Sequence, residues 1–208
     1  MKKLLIVIAL LAVVLTHTNC NKSEDNQTIV LLGTEHYVKP IAEFIPDSLQ
    51  TTIDYRLGTM PVGFFPCCVE GEYVISPTKF CYSNFVDLSN GNDIHFRISN
   101  QHNRVAKVEL NEGGTVVTDT AYLMGHGQFF TLYLKENRQQ YKSSAIERSV
   151  IIKGEKTDDG IKDLMIATIV LDASQGQNPF VGSFIPGWYF IYKDQDGLAE
   201  NCDWFDNN

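Results

Sequence analysis

The chain has 208 residues, 44% apolar and 11% aromatic, enough to bury the core of one ordinary domain and too much for a disordered chain. Seventeen Lys and Arg stand against 25 Asp and Glu, a formal charge of −8. A surface this acidic repels phosphate backbones and anionic headgroups, which excludes nucleic acid as a partner and charge-driven docking on a bilayer.

Met1-Lys2-Lys3 leads into an unbroken apolar run, Leu4 to Leu15. That length suits the hydrophobic region of a secretory leader and falls short of the ~20 residues of a membrane-spanning helix. Thr16-His17-Thr18-Asn19 then precedes Cys20, and Asn21 to Gln27 is a polar tether without periodicity. A lone Cys at the end of such a run, followed by such a tether, resembles the bacterial lipoproteins. The resemblance implies that 1–19 is a cleaved signal peptide. It also implies that Cys20 becomes an acylated, palmitate-bearing first residue and that the membrane is a partner through this anchor. An ordinary cleaved leader with Cys20 incidental is the alternative. Lys22-Ser23-Glu24-Asp25 is similar to the charged signal that sends lipoproteins of Bacteroidetes-type bacteria to the cell surface. The expected location is the cell envelope, at the outer membrane or the cell surface.

Residues 28–70 form an N-terminal segment. Thr28 to Leu32 is a short strand-like run ending at Gly33. Residues 47–57 carry Leu49, Ile53 and Leu57 at four-residue spacing, with Pro46 or Asp47 at the start and Gly58 as the stop. That pattern predicts a helix with one buried face. Pro61, Gly63 and Pro66 break any regular element over 59–70.

From Gly71 to the end, 71–208, the period changes to two. Strands are predicted at 73–75, 94–99, 105–110, 116–124, 129–135, 146–155, 161–172 and 188–193, with Thr157-Asp158-Asp159-Gly160 as a hairpin turn. No helical pattern separates them, so the sheet should be antiparallel. The fold class is mainly β: an eight-stranded up-and-down barrel, with a two-sheet β-sandwich as the alternative. Gly71-Glu72-Tyr73 resembles the Gly-x-Trp entry of lipocalin-like, calycin-type barrels. The long connection 76–93 falls where that family carries its mouth loop. The whole chain also resembles small uncharacterised lipoproteins of gut Bacteroidetes, which imply no activity.

No Gly-x-Ser-x-Gly, His-Glu-x-x-His, phosphate loop or Gly-x-Gly-x-x-Gly occurs, so the chain is read as non-enzymatic. Cys67, Cys68, Cys81 and Cys202 make an even set, which in an exported chain predicts disulfides. One of the adjacent pair with Cys81 and the other with Cys202 is the natural arrangement, because a vicinal bridge is strained. His126, between two glycines, reads as a surface turn histidine. Asp194, Asp196, Glu200 and Asp203 surround Gly197 and are candidate oxygen ligands for calcium; the competing reading is a solvated acidic turn. No other cofactor is expected.

Strands 129–135 and 188–193 are apolar on both sides. In a barrel this means a lined interior and a covered outside, for which the 47–57 helix is available. Loop 76–93 is too apolar for free solvent. It is expected to fold over one barrel end, pinned by Cys81, so that Phe80, Tyr82 and Phe85 join Phe130 and Trp188 around a ligand. The expected function is a binding module for a small apolar or glycan ligand. A structural or accessory envelope protein acting through protein contacts is the alternative.

Overall fold

The computed structural model describes residues 43–58, 60–61, 63–85, 92–112, 115–141, 144–173 and 185–205. The expected leader, Cys20, the expected tether, the run 28–32 and residues 86–91 of the expected mouth loop lie outside them.

Helix α1 spans Asp47–Leu57. Asp47 lies in its first turn and Arg56 in its last, each complementing the helix dipole, and Gly58 ends it with φ of 72°. Ile53 and Leu57 are buried while Tyr55 projects into solvent. The expected helix, its face and its stop are all found.

The strands are β1 (Phe64–Pro66), β2 (Gly71–Ile75), β3 (Thr78–Ser83), β4 (Ile94–His102), β5 (Val105–Glu112), β6 (Thr115–Gly127), β7 (Phe129–Tyr141), β8 (Ser144–Lys156), β9 (Gly160–Ala173), β10 (Tyr189–Asp194) and β11 (Leu198–Asn201). Strands β2, β4, β5, β6, β7, β8, β9 and β11 form a ring of antiparallel neighbours, closed where β11 pairs with both β9 and β2. The molecule is a closed eight-stranded up-and-down β-barrel with β1, β3 and β10 added.

Closure differs from expectation. Segment 188–193 was expected to be the last barrel strand. Instead β10 pairs between β9 and β3, and β11, inside the stretch read as an acidic turn, closes the ring. Strands β10 and β11 follow one another along β9, interrupted at residues 195–197; β2 and β3 follow one another with a break at Ser76-Pro77. Asp194 ties the two breaks together. Its Oδ1 accepts the N–H of Asp196 at 3.0 Å and of Gly197 at 3.2 Å, and its Oδ2 accepts the N–H of Ser76 at 3.1 Å. Part of the expected mouth loop, Thr78–Ser83, is thus a strand. At the hairpin before β9, Gly160 has φ of 153°, and a Cβ there would stand 2.2 Å from the Ala199 carbonyl oxygen. Only glycine lets β11 come this close.

Alternation along β7 sorts two cores. Phe130, Leu132 and Leu134 point into the barrel, where Tyr73, Phe96, Ile98, Val108, Leu110, Leu123, Val150, Ile152 and Ile166 fill the interior. Thr131 and Tyr133 point out. There Tyr133, Met124, Ile151, Ala167, Ile169, Tyr189 and Ile191 form an outer layer with Ile45, Ile53 and Leu57. Helix α1 covers the outside of the barrel, as the doubly apolar strands required. One end of the barrel is plugged by 67–70. Gln101 Oε1 accepts the Val69 N–H at 2.8 Å, its Nε2 donates to the Cys67 carbonyl at 3.0 Å, and Tyr73 Oη donates to the Val69 carbonyl at 2.9 Å.

Candidate functional site

At the other end the described strands part. The ladder between β6 and β7 covers only Tyr122–His126 and Phe129–Tyr133. Beyond it β6 stays with β5 and β7 stays with β8, so the wall splits. On the far side of the split, β7, β8, β9, β10 and β3 continue as one sheet.

The inward face of that sheet carries a row of rings. Tyr192 lies opposite Ile166 and against the barrel core; Phe190 lies opposite Thr168; the Trp188 carbonyl accepts the Val170 N–H. Trp188, just before β10, and Phe190 and Tyr192 within it stand at alternate positions, so the row follows the strand. Phe80 packs edge-on to Tyr192 at 5.7 Å, and Phe190 packs edge-on to Tyr192 at 5.4 Å. Phe85 stacks on Trp188 at 4.4 Å with its plane 1° away, and meets Phe190 edge-on. Asn84 holds this end in place. Its Oδ1 accepts the Tyr189 N–H at 2.9 Å and its Nδ2 donates to the Gly187 carbonyl at 3.0 Å. All five rings are half-buried. Beneath them Thr168 is fully buried, and its Oγ1 has no hydrogen-bond partner among the described residues. Arg148, also buried, faces the same way beside Val170.

The structure therefore brings together Phe80, Phe85 and Trp188 of the expected ligand residues, and adds Phe190 and Tyr192. It separates the other two. Phe130 is a core side chain with no exposure, filling the barrel interior. Tyr82 faces outward, opposite Ile191, with the Arg56 guanidinium 4.3 Å from its ring centre. A break in the alternation separates Phe80 from Tyr82, because the two straddle a register shift where β3 meets β10.

The expected disulfides are not formed, and Cys67, Cys68, Cys81 and Cys202 are all free. Cys67 packs on the inner core and Cys81 on the outer layer, so the barrel wall stands between these two. Cys202 follows β11, where its N–H donates to the Glu72 carbonyl. Burial pushes the Cys67, Cys81 and Cys202 thiols up, which leaves them poor nucleophiles near neutral pH.

The acidic residues at 194–203 do not converge as a calcium site. Asp194 is occupied by three backbone N–H groups, Glu200 sits in β11 and points to solvent, and Asp196 Oδ1 accepts the Leu198 N–H at 3.1 Å. Among the described residues no group of three or more His, Cys, Asp or Glu is placed to hold a metal ion. Burial pushes the Asp194 carboxyl up to about 6, and its hydrogen bond with Asp196 adds to the shift; the same bond holds Asp196 below its ordinary value.

The C-terminal tail was not anticipated. Trp204 stacks on His95 at 5.0 Å, and the Arg97 guanidinium lies 5.0 Å from the Phe205 ring. Glu72 ion-pairs with Arg97 and accepts the Phe205 N–H at 3.0 Å. The sequence signal was present: two adjacent aromatics after an acidic residue, in a stretch otherwise polar.

No known protein family matches the chain, and neither does any curated protein or solved structure. The fold and the site stand on their own geometry.

Proposed function

We propose that this is an exported, lipid-anchored protein of the cell envelope that acts as a non-enzymatic binding module for a small apolar or glycan ligand. One observation carries the binding part: five half-buried rings line the inward face where the barrel wall splits. Stacked rings offer flat apolar area at low entropic cost to whatever lies on them. The ligand sits at the mouth, since side chains occupy the interior below. The anchor part rests on Cys20 after the apolar leader, and its test is loss of membrane partitioning in Cys20→Ala.

Binding is tested by native mass spectrometry of protein purified from its host, looking for a retained small molecule. Trp204→Phe leaves Trp188 as the sole indole of the described residues, and the extracted ligand titrated back should change its emission. Phe190→Ala should lower the affinity at least tenfold. Emission unmoved by the ligand, or unchanged affinity in Phe190→Ala, overturns the mouth as the site.

A further inference from the structure

A second set of rings lies at the opposite end of the barrel, on its outer face. Strand β1 runs parallel to the end of β6 and pairs Phe65 with His126. His126 pairs in turn with Phe129 on β7, Phe129 with Glu155 on β8, and Glu155 with Lys162 on β9. Cross-strand partners share a face, so these five side chains form one row across five strands. Phe65 is 78% exposed and Phe129 53%, the most exposed phenylalanines of the described residues. Helix α1 and its outer layer stop short of them: Met124 and Thr131, the next outward positions on β6 and β7, are buried. The row is held rigidly. Gly63 O accepts the Gly125 N–H at 3.2 Å and Gly127 O accepts the Cys67 N–H at 2.8 Å. A Cβ at Gly125 would meet the Phe129 carbonyl at 2.2 Å, so the turn that presents His126 and Phe129 needs glycine there.

We propose that this row is a docking platform for an extended, β-linked glycan chain. Phe65 and Phe129 are two strand spacings apart, roughly 10 Å. Alternate sugars of an extended β1,4-linked hexopyranose chain turn the same C–H face outward at comparable spacing, so two rings can each take one. The sugar between them meets the His126 imidazole, and the hydroxyl rim beyond Phe129 meets Glu155 and Lys162, which pair loosely at 4.0 Å. This alternation of ring and polar group selects the occupant. A lipid interior would bury the Glu155 carboxylate, and a protein interface would need a broader apolar core than two rings split by an imidazole. The platform is independent of the inward row at the mouth: it lies on the other face, and Glu155 and Arg148 on β8 are separated by about 23 Å of strand.

The test is calorimetry of the full chain against soluble hexasaccharides of β1,4-linked glucose, β1,4-linked mannose and β1,4-linked N-acetylglucosamine, with the α1,4-linked glucose hexamer as comparison. At least one β-linked hexamer should bind, and the curled α-linked chain at least tenfold more weakly. Phe65→Ala/Phe129→Ala should abolish that binding, His126→Ala should weaken it severalfold, and Tyr55→Ala, which removes an exposed ring elsewhere, should leave it unchanged. Both phenylalanines are surface residues, so an unchanged circular dichroism spectrum and melting temperature should accompany the loss. No binding of any β-linked hexamer, or binding that survives the double substitution, overturns the proposal. So does a wild-type protein that ignores the sugars but binds phosphatidylcholine vesicles through these two rings.

Discussion

At the scale of single residues, Asp194 carries more of the architecture than its place in an acidic turn suggests. It is 2% exposed and joins Ser76, Asp196 and Gly197 across the two breaks where the barrel strands give way to β3 and β10. Composition makes the 194–203 stretch look like ligands gathered for a cation. Geometry makes one carboxylate an internal brace and leaves the others at the surface. The difference is invisible in the sequence because it depends on Ser76, more than a hundred residues away. Burial raises the Asp194 carboxyl to about 6, above its ordinary value. Between about pH 4 and about pH 6 the native protein thus holds a proton that the unfolded chain has released. The contribution of this group to stability is present at the acid end of that window and declines as pH rises through it. The stability difference between wild type and Asp194→Asn, from urea titrations, should therefore shift against wild type from pH 4 to pH 6 and level off above. A flat difference across the window would show that the three backbone donors dominate the carboxylate.

At the scale of elements, legibility followed periodicity. Helix α1, the β8–β9 hairpin and the two apolar faces of β7 and β10 were readable, because each rests on local spacing or on a turn glycine. Strand β11 was not. Leu198-Ala199-Glu200-Asn201 is short, half polar and preceded by acidic turn residues; it is a strand because β9 and β2 offer it two edges at once. Strand β3 was hidden in the same way. A register shift within it sends Phe80 inward and Tyr82 outward, and that divides the expected ligand residues between two faces. The mouth site was half legible: Phe80, Phe85 and Trp188 were named, but Phe130 belongs to the core and the role of Tyr192 depends on where β10 lies. The outer core is where an element carries the most energy. Ile53 has no exposure and packs α1 against β6–β10, so Ile53→Ala should cost roughly 2–5 kcal/mol through lost burial and the cavity left behind. Tyr55→Ala on the opposite face of α1 should stay within about 0.5 kcal/mol. Urea midpoints of the two variants check this; similar small losses in both would mean that α1 rests on the barrel without stabilising it.

At the scale of the whole molecule, the barrel is closed by β11, the last strand of the described residues. Strand β11 supplies only four residues, yet it is the sole neighbour of β2 on one side and of the start of β9 on the other. Without it Tyr73, Ile161 and Leu164 would line an open seam, and two sheet edges would be unpaired. The tail beyond β11 has a different part. Trp204 and Phe205 lie outside the wall, stacked on His95 and Arg97, and reinforce β2 and β4 without entering the core. Two truncations separate these contributions. Ending the chain after Cys202 keeps β11 and removes the aromatic tail, so the protein should unfold in one cooperative transition with about 1–2 kcal/mol less stability. Ending it after Gly197 removes β11 as well. Interior side chains then meet water along the seam, and the sharp transition should be replaced by a broad one with dye-binding apolar surface exposed before unfolding. Equal loss in the two truncations would place the closing force in the tail rather than in β11. An unaltered sharp transition after Gly197 would mean that β10 can slide along β9 to close the ring in its place.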